Sequence, residues 1–351
     1  MKPDLDLTRD ALASSTLSHG LHLLGDRWTV AVILGAFLGV RRFDDWQTRL
    51  NIPRHTLTVR LKALTDLGLL EQRPYQQRPL RQAYHLTEKG LALYSHVLMM
   101  WVWERRWGAR QLALPHRLRH QPCGHAFLPE LACAACGDKV GVSDLTFSLR
   151  VNPDLLALVR IDPLTLSPTI PALRQRGARL ANISSEETDK TGRAQQVGLD
   201  LRADRWMLLI VSALLLGCHH FDQLSHVLGI GSSVLARRLS SMVGSGLLLC
   251  QADLVDARRK VYRLTPASRD LFGYIMCFSS WASRHHFSQP SSIQPTHKAC
   301  GKPFVPLVVC SHCRLPVLAR DVTFAGSRHR LTPNCANDED LGIVNAKFRA
   351  T

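Results

Sequence analysis

Apolar residues recur at helical spacing over 17–39 (LSHGLHLLGDRWTVAVILGAFLG), and the stripe breaks at Gly25-Asp26, so the pattern predicts two short helices or one broken one. The next stretch, FDDWQTRLN, reads as a short helix capped by its Asp residues. Asn51-Ile52-Pro53 forms a turn, with Pro53 suited to the first turn of the helix that follows. Over 54–67, Leu57, Leu61 and Leu64 share one face, so His55, Thr58, Val59 and Lys62 look outward. Gly68 closes that helix. The segment 69–87 then alternates like two strands around a loop carrying Arg73, Arg78 and Arg81, a basic hairpin. Finally, 88–107 (EKGLALYSHVLMMWVWERRW) predicts a long helix with more Leu, Val and Trp than one small domain can bury, and such a helix needs a packing partner.

The same order of elements returns further along the chain. Asp26-Arg27-Trp28 recurs 178 positions later as Asp204-Arg205-Trp206, and that offset carries Phe43-Asp44 onto Phe221-Asp222, Arg60-Leu61 onto Arg238-Leu239, Gly68-Leu69-Leu70 onto Gly246-Leu247-Leu248 and Trp103 onto Trp281. After one deletion the offset is 177, and it maps Cys123, Cys133 and Cys136 onto Cys300, Cys310 and Cys313. The chain is therefore a duplication of a unit the size of one domain. The expected division is a tail over 1–16, a winged helix-turn-helix over 17–112, a knuckle over 113–149, a linker over 150–190, a second winged helix-turn-helix over 191–288, a second knuckle over 289–327 and a tail over 328–351. The fold class is mainly α with small β-wings.

Charge narrows the choice of partner. Lys and Arg number 44 against 28 Asp and Glu in 351 residues, a formal charge of +16, which favours a polyanion. The longest apolar run, 206–218, is too short to span a bilayer, and no signal peptide opens the chain, so no membrane partner is expected. A polar-faced helix after a tight turn fits the major groove of double-stranded DNA, and a basic hairpin beside it reaches phosphates or the minor groove. The candidate DNA contacts are Arg54, His55, Thr58, Val59, Arg60 and Lys62 with wing residues Arg73, Arg78 and Arg81. In the second unit they are Ser233, Arg237 and Arg238 with Arg258, Arg259 and Lys260.

Each unit ends on one spacing, His120-x2-Cys123-x9-Cys133-x2-Cys136 and His297-x2-Cys300-x9-Cys310-x2-Cys313. Three thiolates and an imidazole complete a closed tetrahedral Zn2+ shell, so two structural zinc sites are expected, one per unit. His125 and His312 compete as fourth ligands, but neither recurs in the other copy. Cys218, Cys250, Cys277 and Cys335 have no repeated partner and read as buried or incidental thiols. Metal-type spacing rather than disulfide pairing points to a reducing, cytoplasmic setting, at the bacterial nucleoid.

The stretch GDRWTVAVILGAFLGVRRFDDWQTRLNIPRHTLTVRLKALTDLGLLEQRPY, with RQAYHLTEKG following, resembles the HxlR-type branch of the MarR-like winged-helix transcriptional regulators. The resemblance covers about residues 17–107, and more weakly 195–285. It implies dimerisation through terminal helices in single-unit members and binding to a short inverted repeat in a promoter, with repression the commoner outcome. In this chain the two copies are expected to pair with one another as an intrachain pseudo-dimer, the Trp103 and Trp281 helices forming the seam, unless the chain forms a homodimer. Because His55, Thr58, Val59 and Lys62 align with Ser233, Ala236, Arg237 and Ser240, the operator is expected to be imperfectly symmetric. Many relatives place a Cys shortly before the first core helix; SSTLSHGLHLLG has none, so no thiol switch is expected there.

An enzyme is not expected. PELACAAC lacks the H-x-E partner of the zinc deaminases, and GIGSS at 229–233 falls in the second helix-turn-helix and contains no nucleophile elbow. The competing reading is a winged-helix and zinc module that docks proteins and has little direct DNA binding. An apolar pocket for a small-molecule effector looks like core in sequence.

Overall fold

A computed structural model describes residues 3–108, 115, 117–161, 205–253, 256 and 258–324; most of the linker, the C-terminal tail and Cys335 lie outside the described residues. The first unit runs α1 (Leu5–Ala13), α2 (Thr16–Leu24), α3 (Arg27–Phe37), α4 (Phe43–Leu50), α5 (Arg54–Asp66), β1 (Leu70–Gln77), β2 (Leu80–Leu86), α6 (Glu88–Leu91) and α7 (Tyr94–Trp107). Strands β3 (Leu118–His120), β4 (His125–Phe127), β5 (Pro129–Cys133) and β6 (Leu145–Leu149) and helix α8 (Pro153–Ile161) follow. The second unit repeats the plan with α9 (Arg205–Leu215), α10 (Phe221–Leu228), α11 (Ser232–Gly244), β7 (Leu248–Ala252), β8 (Lys260–Leu264), α12 (Pro266–Arg269), α13 (Leu271–Ala282), β9 (Ile293–His297), β10 (Pro306–Cys310) and β11 (Val322–Phe324).

The break in the first apolar stripe is a true helix boundary. Asp26 caps α3 by accepting from the amides of Trp28 and Thr29 at 3.1 and 3.2 Å, which satisfies donors that a helix start leaves open. The segment 1–16, expected from its polar start to be a tail, instead holds a packed helix: α1 buries Thr8, Ala11 and Leu12 and packs on α10 of the second unit, with Asp6 paired to His226 at 3.0 Å. Polarity misleads here because the helix is amphipathic and its partner surface belongs to the other copy. At the far end, α8 begins the spacer and docks on α1; the carbonyl of Leu155 accepts from His19 Nε2 at 3.0 Å.

Helices α7 and α13 pack against one another, and residues related by the repeat meet at their centre: His96 lies against its own counterpart Tyr274, ring centroids 3.9 Å apart. Around that point the contacts are reciprocal. Trp103 Nε1 donates to the carbonyl of Ala267 at 2.6 Å, and Trp281 Nε1 to that of Lys89 at 3.0 Å. The two units thus face each other across a pseudo-two-fold axis, which answers the surplus of apolar surface on each long helix.

His96 is buried at this seam, with Nδ1 at 3.2 Å from the carbonyl of Tyr274, and burial pulls its pKa down to about 4 from the ordinary 6.5. Folding therefore holds the ring neutral, while the unfolded chain binds a proton below pH 6.5. Stability should fall as pH drops from about 6.5 towards 4, with His96 accounting for about 3 kcal/mol of the loss. Thermal denaturation of His96→Phe across this window should give a shallower slope than the parent chain; an identical slope would remove His96 as the cause.

Candidate nucleic-acid interface and metal centres

In each unit a tight left-handed residue joins the two helices of the helix-turn-helix: Asn51 at φ 47° and Gly229 at φ 59°. Asn and Gly are the residues that tolerate this conformation. Pro53 stands one residue earlier than expected, as the N-cap of α5 rather than within its first turn. The wings form as expected, β1 antiparallel to β2 and β7 to β8. Each is braced by the segment preceding its helix-turn-helix, through Tyr84 N to Arg41 O and Tyr262 N to His219 O, both 2.8 Å.

Arg54, His55, Thr58 and Lys62 on α5 are exposed, as are Ser233, Ala236 and Arg237 on α11, with Val59 half-buried. Arg73, Arg78 and Arg81 are exposed on the first wing, and Arg258, Arg259 and Lys260 on the second. Some of these cations already have partners: Lys62 with Asp66 at 2.8 Å, Arg73 with Glu71 at 2.5 Å and Arg259 with Asp222 at 2.9 Å.

Arg60 departs from the expectation of an outward-facing cation. It is buried, and its Nη2 meets Asp26 Oδ1 at 3.3 Å. Three residues after Leu57 and four before Leu64, it belongs to the core face of α5. There it ties the helix to the capped start of α3, so Arg60 is a positioning residue rather than a DNA contact. Its counterpart Arg238 is half-buried on the corresponding face of α11. The recurrence of both arginines reflects packing.

All eight expected metal ligands cluster, but not as the spacing within each unit suggests. One group is His120, Cys123, Cys310 and Cys313; the other is Cys133, Cys136, His297 and Cys300, the ligand atoms of each lying within 4.8 Å of one another. Each unit contributes its H-x2-C arm to one group and its C-x2-C arm to the other. The expectation of one self-contained site per unit is therefore corrected: the arms are exchanged.

Strand pairing is the physical reason. β5 runs antiparallel to β10 with Leu131 opposite its own counterpart Val308, β3 pairs with β11, and β6 with β9. Every one of these ladders joins the two units. Because β5 ends at Cys133 and β10 at Cys310 in opposite directions, each C-x2-C arm is delivered to the other unit's histidine. Reciprocal bonds from Gln121 N to Asp321 O at 2.8 Å and Lys298 N to Asp144 O at 2.9 Å lock the exchange.

The donors fit a small tetrahedral cation. His120 Nδ1 lies 3.5 Å from Cys123 Sγ and 3.3 Å from Cys313 Sγ, and Cys123 and Cys310 sulfurs are 3.9 Å apart. In the other group, His297 Nδ1 lies 3.4 Å from Cys136 and from Cys300. Metal bonds of about 2.0 Å to nitrogen and 2.3 Å to sulfur at tetrahedral angles separate ligand atoms by roughly 3.5 to 3.8 Å.

The arms share one turn: the amides of Gly124, Gly137, Gly301 and Arg314 donate to the carbonyls of His120, Cys133, His297 and Cys310 at 2.8 to 2.9 Å, with all four residues at φ between 62° and 79°. The backbone amides of His125 and Lys302 bring the Cys123 and Cys300 thiols down to about 6 and about 7, while burial and the neighbouring thiols push Cys313 up and Cys136 up to about 11, the pattern of crowded sulfurs that cannot all ionise without a cation among them. His125 and His312 stack on each other, centroids 3.7 Å apart, beside Cys123 and outside both four-residue groups. Cys218 and Cys277 are buried, their thiols pushed up to about 11 and about 12 by burial, in keeping with inert core sulfur; Cys250 is exposed.

Two helix-turn-helix modules with basic wings define a winged helix-turn-helix protein. More narrowly, the chain belongs to the HxlR-like helix-turn-helix family, whose profile matches residues 23–112 and again 201–290. An uncharacterized HTH-type transcriptional regulator of Mycobacterium tuberculosis is 38% identical over 144 residues, covering 38% of this chain and 91% of the relative. The HTH-type transcriptional regulator YodB of Bacillus subtilis is 34% identical over 82 residues, 23% of this chain and 73% of the relative. A solved structure of a proposed transcription factor from Pseudomonas aeruginosa is 32% identical, covering 36% of this chain and 84% of that one, with a TM-score of 0.28. The chain is thus a helix-turn-helix transcriptional regulator, and its relatives are regulators rather than enzymes. Among the described residues, no helix is long and apolar enough to cross a membrane.

Proposed function

We propose that the chain is a single-chain, two-headed transcriptional regulator that grips an imperfect inverted repeat in double-stranded DNA and acts as a repressor by occupying a promoter. The observation that carries this reading is the reciprocal seam, His96 against Tyr274 flanked by the two Trp bonds. It gives one chain the two-fold arrangement that reads an inverted repeat. Exposed Arg54, His55, Thr58 and Lys62 on one side and Ser233 and Arg237 on the other present different chemistry to the two half-sites, and the wing cations bind phosphates.

Both Cys3His groups hold Zn2+ in this reading. His120, Cys123, Cys310 and Cys313 coordinate one ion and Cys133, Cys136, His297 and Cys300 the other, with no position left open for a substrate. Closed shells of this kind supply folding free energy rather than reactivity. A reducing cytoplasm keeps the thiols available.

Fluorescence anisotropy on DNA from the gene's own upstream region tests the reading. With about six phosphates neutralised, affinity should fall about a thousandfold between 50 and 200 mM salt. Binding that is weak and insensitive to salt would instead favour a protein-docking module.

A further inference from the structure

The two units are not equivalent behind their seam. Beside α7, the space bounded by Leu34, Phe37, Trp101, Leu118 and Phe324 is closed to about 30 Å³. The corresponding space beside α13 is an open cavity of about 410 Å³. The repeat identifies them as one place, since Phe147 and Phe324 are counterparts and, like the exchanged metal arms, each lines the other unit's version. Three exchanges account for the difference: Trp101, Leu34 and Phe37 in the first unit are Ser279, Ser212 and Leu215 in the second. Trp101 is buried and fixed by a bond from Nε1 to the carbonyl of Pro115 at 2.8 Å. Its counterpart Ser279 is too small to fill that volume and lines the cavity instead.

We propose that this cavity is a binding site for one small amphipathic anion per chain, with a body about the size of two fused rings and a single acidic group. The volume lies in the range of small-molecule sites, which combine apolar walls with a few placed polar groups. Ile275, Met276 and Phe304 supply apolar wall, and Ser212 and Ser279 line the same space, their hydroxyls bonded to the Leu208 carbonyl at 2.8 Å and to Thr16 Oγ1 at 3.2 Å. Arg284 lines the cavity on its exposed side. Its guanidinium is oriented by Ser280, Nη2 donating to the hydroxyl at 2.9 Å and Nε to the carbonyl at 3.4 Å. A cation held at the edge of an apolar chamber selects a ligand whose acid group stays near water while its rings are buried. Among the described residues the first unit has no such site, because Trp101 already fills it.

The site can be tested without DNA, so its failure and the failure of the DNA-binding reading are separable. The probes are 8-anilinonaphthalene-1-sulfonate and its uncharged analogue N-phenyl-1-naphthylamine, titrated by fluorescence onto the full metal-loaded chain. Both should saturate at one per chain. Ser279→Trp, which copies the first unit, should weaken both by about thirtyfold or more, and Ser212→Leu should do so to a lesser extent. Arg284→Gln should weaken the sulfonate roughly tenfold and leave the neutral probe unchanged. Unchanged metal content and thermal midpoint establish that the variants are folded. Absence of saturable binding to the parent chain overturns the proposal, as does undiminished binding to folded Ser279→Trp or to folded Ser212→Leu. An Arg284→Gln effect equal for both probes overturns the assignment of the acid group.

Discussion

Replacing Cys123 and Cys136 together by Ser is expected to strip both metal ions from the chain, whereas replacing Cys123 and Cys313 together should leave one ion bound. The two pairs separate the exchanged arrangement from the self-contained one. Cys123 and Cys136 lie in the same repeat unit but in different clusters, while Cys123 and Cys313 lie in different units but in one cluster. Self-contained sites would give the opposite counts. Metal analysis of purified protein by mass spectrometry reads the result directly. The stability effect should be large, because each cluster clamps a β-strand ladder that joins the units. Loss of both ions should cost on the order of 5 kcal/mol and separate the units at their knuckle end. A chain that keeps its thermal midpoint after losing both ions would show that the seam of α7 and α13 suffices alone.

The second large effect concerns the two recognition surfaces. Lys62→Ala with Arg78→Ala alters only the first head, and Arg237→Ala with Arg258→Ala only the second; all four side chains are exposed, and among the described residues Lys62 alone gives up a surface ion pair in the change. Each double variant should lose roughly tenfold to a hundredfold in affinity and flatten the salt dependence by about one unit of slope for each phosphate contact removed. Combining them should be more damaging than either alone. If the second pair has no effect on binding, that copy of the fold serves as scaffold. Arg60→Ala is a different kind of change: it should lower the thermal midpoint through loss of the Asp26 tie, and it carries no direct loss of a phosphate contact.

Much of this was legible because the chain states its plan twice. The offset of 178 located the helix-turn-helix, the wing and the seam, since apolar periodicity on 88–107 demanded a partner and the repeat supplied one. The spacing of the eight ligands was equally visible, but their grouping was not. Identical arms in both copies satisfy the same donor set whichever unit they come from, and only the antiparallel pairing of β5 with β10 decides. The Arg60 misreading was avoidable: its position between Leu57 and Leu64 on the helical wheel places it on the buried face, and the basic character of the chain obscured that. Helix α1 was hidden for another reason, since its apolar side is short and the surface it covers lies about 215 residues further along, in α10. The cavity was invisible in either copy alone. It emerges only when Trp101 is compared with Ser279 at the same structural position.

The claim at the centre of this account is that one chain, with its two heads fixed across the seam, covers one operator. The most direct measurement is the stoichiometry of the specific complex by analytical ultracentrifugation, with a hydroxyl-radical footprint of the same complex. One chain per operator, protecting two half-sites about one helical turn apart, is the expected result. Two chains per operator, each protecting a single half-site, would contradict it and make the second unit of each chain a dimerisation platform.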